Sequence, residues 1–167
     1  EETILKPKPM VEVGGKPILW HIMNIYASYG YKEFVIALGY KGEVIKDYFL
    51  NYHYRSHDLT INLKTGTVDI HNGQSEDWIV HLLDTGLDSS TGGRVKKIAE
   101  FIGNEAFMMT YGDGVSNINI HDLVNYHRHQ GRLATVTAVR PPARFGGLGI
   151  NENFVAYFTE KPHAGEG

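Results

Sequence analysis

A chain of 167 residues, 42% hydrophobic and 21% charged, carries enough apolar material for one sizeable α/β core. Its net charge of −3, with no basic run or stripe, argues against a nucleic-acid partner. No apolar stretch approaches transmembrane length, Glu1-Glu-Thr-Ile4 is not a signal peptide, and the lack of cysteine excludes a disulfide framework or a thiolate zinc site, so a cytoplasmic enzyme or binding domain is expected.

The chain opens on Lys6-Pro-Lys-Pro-Met10, where two prolines fix φ, remove two N–H donors and are expected to hold the segment extended, projecting Lys8 from a stiff backbone. A pre-positioned ammonium suits a polyphosphate, and a solvated lysine in a rigid loop is the plainer alternative. Gly14-Gly15-Lys16 reads as a turn. Pro17 suits the first position of a helix running to Gly30, with Ile18, Leu19, Ile22, Met23 and Tyr26 on its core face.

Glu33 to Leu38 is a buried strand by length and composition, and Gly39-Tyr-Lys-Gly42 turns into a helix with Val44, Ile45, Tyr48, Phe49 and Tyr52 on one face. This strand, turn and helix order is that of βαβ units. Leu59 to Leu63 and Thr67 to His71 alternate about Lys64-Thr-Gly66 and predict an antiparallel hairpin. Trp78 to Leu83 is a further strand. It delivers the chain to Asp84-Thr-Gly-Leu-Asp-Ser-Ser-Thr-Gly-Gly-Arg94, a loop of hydroxyls, glycines and one arginine before a helix. A helix start of this kind suits an anion or a base edge, and it equally suits an ordinary helix capped by Thr91. The Gly-Lys-Ser/Thr ending of a P-loop is absent.

Ala106-Phe-Met-Met-Thr-Tyr-Gly-Asp-Gly114 is an apolar run that stops at one carboxylate between two glycines. It predicts a buried strand of a parallel sheet with Asp113 at its carboxyl end, where ligands bind in such sheets. The natural task of Asp113 there is to hold Mg²⁺, and a tight turn without function is the alternative. A helix to Gly131 follows, whose His121, His127 and His129 lack the spacing of a zinc site. Leu133 to Val139 reads as a strand, Pro141 to Gly147 as a loop, and Phe154 to Phe158 as a last strand leading to Thr159-Glu160-Lys161-Pro162.

Lys8, Arg94, Asp113 and Lys161 thus fall at predicted loops or strand ends, with no Ser-His-Asp order, glycosidase carboxylate pair or histidine cluster competing with them. One carboxylate for Mg²⁺ and several cations fit phosphoryl or nucleotidyl transfer, in which catalysis is mostly positioning and charge neutralisation. An already ionised phosphate nucleophile needs no general base.

The segments Lys6 to His21, Ser89 to Arg94, Thr110 to Gly114 and Glu160 to Pro162 together resemble the sugar-1-phosphate nucleotidylyltransferases, in order and along essentially the whole chain. The resemblance implies a Rossmann-like α/β domain over residues 1–167, with a mixed, mostly parallel sheet flanked by helices. It also implies a Mg²⁺-dependent reaction of CTP with α-D-glucose 1-phosphate that gives CDP-glucose and pyrophosphate, in a cytoplasmic homo-oligomer. By the same resemblance Lys8 neutralises the triphosphate, Ser89 and Arg94 belong to the nucleotide-side loop, and Asp113 holds Mg²⁺ with Gly112 at the nucleotide. Gly146 and Glu160 then face the sugar, and Lys161 binds its phosphate.

Members of that family begin with a strand and a Gly-Gly-x-Gly-Thr-Arg loop and continue to a second metal-binding aspartate. Neither is in this sequence, so both ends are expected to be interior to a longer protein, and a chain limited to these residues is expected to be inactive. Alternatives are the same chemistry with dTTP or UTP, and a non-catalytic regulatory subunit of the same fold. A glycosyltransferase is disfavoured because Gly112-Asp113-Gly114 lacks the second acid of an Asp-x-Asp motif.

Overall fold

Gly14 and Gly15 both take positive φ, 58° and 79°, which closes a two-residue turn between strands β1 (Glu12–Val13) and β2 (Lys16–Pro17) in the computed structural model. The structure describes residues 6–73, 75–139, 147–151 and 154–159. They fall into two compact units, Glu1–Ile120 and His121–Gly167. Ahead of β1 the proline segment departs from the expected extension: Pro7 is extended, but Lys8–Met10 forms one 3-10 turn closed by the Met10 N–H on the Pro7 carbonyl at 2.8 Å. A φ fixed by proline is compatible with either conformation. The turn carries Met10 into the core.

Helix α1 (Ile18–Ser28) has Pro17 as its N-cap, one position earlier than expected, and it buries Leu19, Ile22 and Met23. Its end is as expected, with Gly30 at φ +90° past the last turn. Strand β3 (Glu33–Leu38) matches its predicted bounds. The helix expected after it divides at Asn51 into α2 (Gly42–Leu50) and α3 (Tyr52–Ser56), because the Asn51 side-chain amide donates to the Asp47 carbonyl at 2.9 Å. The hairpin of β4 (Asp58–Asn62) and β5 (Thr67–His71) turns on Asn62, whose Oδ1 accepts from the Lys64 and Thr65 N–H groups.

Strand β6 (Ile79–Asp84) pairs in parallel with β3, from Glu33 opposite Ile79 to Leu38 opposite Asp84. The core of the first unit lies against this pair: Met10, Leu19, Met23, Leu38 and Ile45 are buried together, with Phe34, Trp78, Val80 and Leu82 packed around them. Helix α4 (Thr91–Ile102) follows β6. The mixed α/β class expected from the sequence is what the described residues form. No helix among them is long and apolar enough to cross a membrane.

Two expected strands are absent. Residues 106–109 and 133–139 carry no strand pairing, and Phe107, Met109, Leu133 and Val136 are exposed. An apolar run becomes a strand only where a neighbouring backbone accepts and donates its ladder bonds, and among the described residues neither run has one. In the second unit α5 (Ile120–Gln130, its first residue in the first unit) precedes an antiparallel pair of β7 (Gly147–Asn151) and β8 (Phe154–Thr159). The sequence reading places β8 and misses β7, whose first residue, Gly147, closes the segment read as a loop and whose other residues it leaves unassigned.

A polar knot locks α3 to the approach to β6. Trp20 Nε1 donates to the Tyr52 hydroxyl at 2.8 Å and to Glu76 Oε1 at 3.1 Å, and the Tyr52 hydroxyl donates to Glu76 Oε2 at 2.6 Å. Lys16 Nζ lies over both rings, 5.5 Å from Trp20 and 5.1 Å from Tyr52. Desolvation pushes the Glu76 carboxyl up, but the Tyr52, backbone and Trp20 hydrogen bonds and the Lys16 charge outweigh it and hold Glu76 below the usual carboxylate value. A depressed carboxylate stabilises the fold above its unfolded pKa of 4.5, and that contribution is lost as pH falls through the lower folded value. Glu76→Gln is therefore expected to flatten the acid limb of stability below about pH 4.5. Parallel urea titrations of the two proteins at stepped pH test this, and identical acid limbs would refute it.

Candidate functional site

The proline turn and the Asp113 turn meet. A Cβ on Gly112 would stand 2.9 Å from Pro9 Cγ, so the absence of a side chain at 112 is what lets the Lys8-Pro9 segment lie against Tyr111-Gly-Asp113. Each segment is anchored behind its candidate residue. Pro7 and Met10 are buried on either side of Lys8. Thr110 hydrogen-bonds the Tyr26 hydroxyl of α1, a bond that works against the rise in the Tyr26 pKa caused by burial. Lys8 and Asp113 themselves are exposed, and among the described residues neither side chain is engaged in a hydrogen bond or ion pair. An ammonium and a carboxylate are thus presented from adjoining turns, held by their backbones and, among the described residues, unengaged at their tips.

The other cluster is built at the carboxyl ends of β3 and β6. Thr85, one residue past β6, is 1% exposed, and its N–H and hydroxyl both donate to the Leu38 carbonyl, at 2.9 Å and 2.7 Å. Arg94 reaches back from the first turn of α4. Its Nη1 donates to Leu38 O at 3.0 Å, Thr85 Oγ1 at 2.6 Å and Gly86 O at 2.9 Å, and its Nη2 donates to Leu87 O at 3.1 Å. The guanidinium occupies the space beside Gly39, where a Cβ would stand 2.5 Å from both Nη atoms. One turn on, Lys97 Nζ donates to Thr85 O at 2.6 Å and to Ser89 Oγ at 3.0 Å, and the Ser89 hydroxyl also donates to Thr85 O. Two cations of one helix therefore knit the 85–90 loop onto the strand ends. The helix start is capped by Ser90, whose Oγ accepts from Gly93 N at 3.3 Å, one residue before the expected Thr91.

Of the residues expected from the sequence, Lys8 stands with Gly112 and Asp113, and Ser89 stands with Arg94. Arg94 is turned into the loop rather than presented like Lys8. Gly146, Glu160 and Lys161 lie outside the described residues. The sequence reading missed Gly39, Thr85 and Lys97. Gly39 and Lys97 had a readable signal, a glycine straight after a strand and a second cation three residues past Arg94 on the same helix, whereas nothing local marks Thr85.

Among the described residues no group of three His, Asp or Glu side chains converges on one point. A single exposed carboxylate does not suit zinc, but it suits Mg²⁺, which binds through one or two carboxylates, keeps several waters and takes phosphate oxygens for the rest of its shell.

No established family profile matches the chain. It is similar to the glucose-1-phosphate cytidylyltransferases of Salmonella typhimurium and Salmonella typhi, each 51% identical over 163 residues, 97% of this chain and 63% of the relative. It is also 28% identical over 164 residues to the D-glycero-alpha-D-manno-heptose 1-phosphate guanylyltransferase of Campylobacter jejuni, 96% of this chain and 62% of that protein. The chain therefore spans under two thirds of the length of these relatives. The family resemblance read from the motifs is borne out along nearly all of the chain.

Proposed function

We propose that this chain carries much of the active site of a glucose-1-phosphate cytidylyltransferase, which joins CTP and α-D-glucose 1-phosphate to give CDP-glucose and pyrophosphate. The observation that carries the reading is the exposed Lys8 ammonium and exposed Asp113 carboxylate on adjoining turns, in a chain half identical to proteins of that name. In the reaction an oxygen of the sugar phosphate attacks the α-phosphorus of CTP in line. The bond from the α-phosphorus to the bridging oxygen breaks, and pyrophosphate leaves with the electron pair.

Lys8 would neutralise the triphosphate as charge moves onto the leaving group. Gly112 would let the nucleotide approach the backbone, and Asp113 would hold the metal. When bound there, Mg²⁺ would supply positive charge to offset the charge that the reaction places on the phosphates. Ser89 would face the nucleotide and Arg94 would hold the loop that carries it. Gly146 and Glu160 are proposed to face the sugar and Lys161 to bind its phosphate, from the motif resemblance alone. A cytoplasmic homo-oligomer is the proposed setting.

The test is pyrophosphate release by the full-length protein supplied with glucose 1-phosphate, Mg²⁺ and CTP, dTTP, UTP or ATP in turn. Release with CTP well above the other three is expected. Equal release with UTP or dTTP would overturn the base assignment, and silence with all four would favour a regulatory subunit.

A further inference from the structure

We propose that Pro9 is a positioning residue: its ring, seated on Gly112, sets the spacing between the Lys8 ammonium and the Asp113 carboxylate. The inference rests on the cytidylyltransferase reading for what those two groups do, and on the geometry for how they are held.

Among the described residues neither Lys8 nor Asp113 has a side-chain partner, so their spacing has to come from the backbones that carry them. Each backbone is tied to helix α1 from behind. Met10 is buried with Leu19 and Met23, and Thr110 hydrogen-bonds the Tyr26 hydroxyl. In front, the contact is made by the residue after Lys8 and the residue before Asp113. A Cβ on Gly112 would stand 2.9 Å from Pro9 Cγ and 3.3 Å from Pro9 Cβ, and among the described residues no other side chain or backbone atom would lie within 4 Å of it. Gly112 is not at positive φ, so its backbone does not call for glycine. The space beneath Pro9 does.

A proline ring transmits such a contact, because its φ is fixed and it has no freely rotating side-chain bond to absorb a push. The turn it belongs to is closed on both sides, by the Met10 N–H on the Pro7 carbonyl at 2.8 Å and the Val11 N–H on the Lys8 carbonyl at 3.1 Å. A shift at Pro9 therefore carries Lys8 with it. Raising 2.9 Å to the ordinary carbon separation of about 3.5–4.0 Å would part the two turns by about 0.5–1 Å. A misplacement of about 1 Å can cost about a hundredfold in rate.

The test is a cycle of Gly112→Ala, Pro9→Ala and the double variant in the full-length protein, read by CTP kinetics and by urea unfolding. Gly112→Ala is expected to lower kcat for pyrophosphate release by about tenfold to a hundredfold, with the smaller part of the loss in KM. Pro9→Ala removes the nearer atom, Cγ, and should alone cost about three- to tenfold in kcat. The double variant should return to the Pro9→Ala level, and in unfolding the cost of Gly112→Ala should shrink in the Pro9→Ala background. A kcat loss that persists undiminished in the double variant would overturn the proposal, whether or not the unfolding costs are coupled, since the added methyl would then be acting on something other than Pro9's hold on Lys8. Additive unfolding costs would refute the contact itself. A parent that releases no pyrophosphate with any nucleotide would overturn the cytidylyltransferase reading alone, with the unfolding cycle deciding the Pro9 contact.

Discussion

Asp113→Asn in the full-length protein is expected to lower kcat for pyrophosphate release by at least about a hundredfold, since the bound metal is worth several kcal/mol to the transition state. Stability should change by no more than about 0.5 kcal/mol, as for other exposed substitutions. Asparagine has nearly the shape of aspartate and is at least as good in a turn, so the substitution spares the backbone of Tyr111-Gly-Asp-Gly114 and removes only charge. That choice separates the two readings of the segment. If Asp113 is merely a turn residue, the variant keeps both fold and activity. If it holds Mg²⁺, unfolding is unaltered while turnover collapses. Near-parental kcat at saturating Mg²⁺ would remove Asp113 from the site.

What could be read from the sequence divides by the kind of signal each feature needs. Strand β3 is legible to the residue because Phe34 to Leu38 is an unbroken apolar run of strand length, led by Glu33 and closed by Gly39, and its partner β6 is mostly apolar over the same length. The run at 106–109 has that signature too, yet no ladder forms there among the described residues. Hydrophobicity records that a segment is to be covered, but not by what, and pairing is a property of two segments. The adjacency of Lys8 and Asp113 was reachable only through family resemblance, because nothing in either segment says that Pro9 will rest on Gly112. Arg94 shows the opposite difficulty. A lone arginine in a glycine and hydroxyl loop reads as a ligand contact, and only the structure shows its guanidinium turned to the Leu38 carbonyl at the end of β3 and to the Gly86 and Leu87 carbonyls of the loop itself.

That arrangement makes Arg94 and Gly39 one unit, and the expected result is a strongly non-additive pair of substitutions. Gly39 does not sit at positive φ, so alanine is acceptable to the backbone, and the cost of Gly39→Ala is the collision of its Cβ with the guanidinium. An arginine tip can ordinarily swing aside cheaply. Here it is held by Leu38 O, Thr85 Oγ1, Gly86 O and Leu87 O, and moving it breaks those bonds. Gly39→Ala should therefore cost about 1–3 kcal/mol, the range for overpacking a filled site. Arg94→Met should cost about 2–3 kcal/mol, since hydrogen bonds to a charged group are lost beside Thr85, which is 1% exposed. Arg94→Lys should recover little, because one ammonium cannot span four acceptors arranged for a planar fork. In the double variant the collision has no partner. Its cost should match Arg94→Met alone, with a coupling equal to the Gly39→Ala cost, about 1–3 kcal/mol in denaturant unfolding. Additive costs would mean that the guanidinium lies elsewhere, and the 85–90 loop would then lose the clamp that fixes Thr85 for both Ser89 and Lys97.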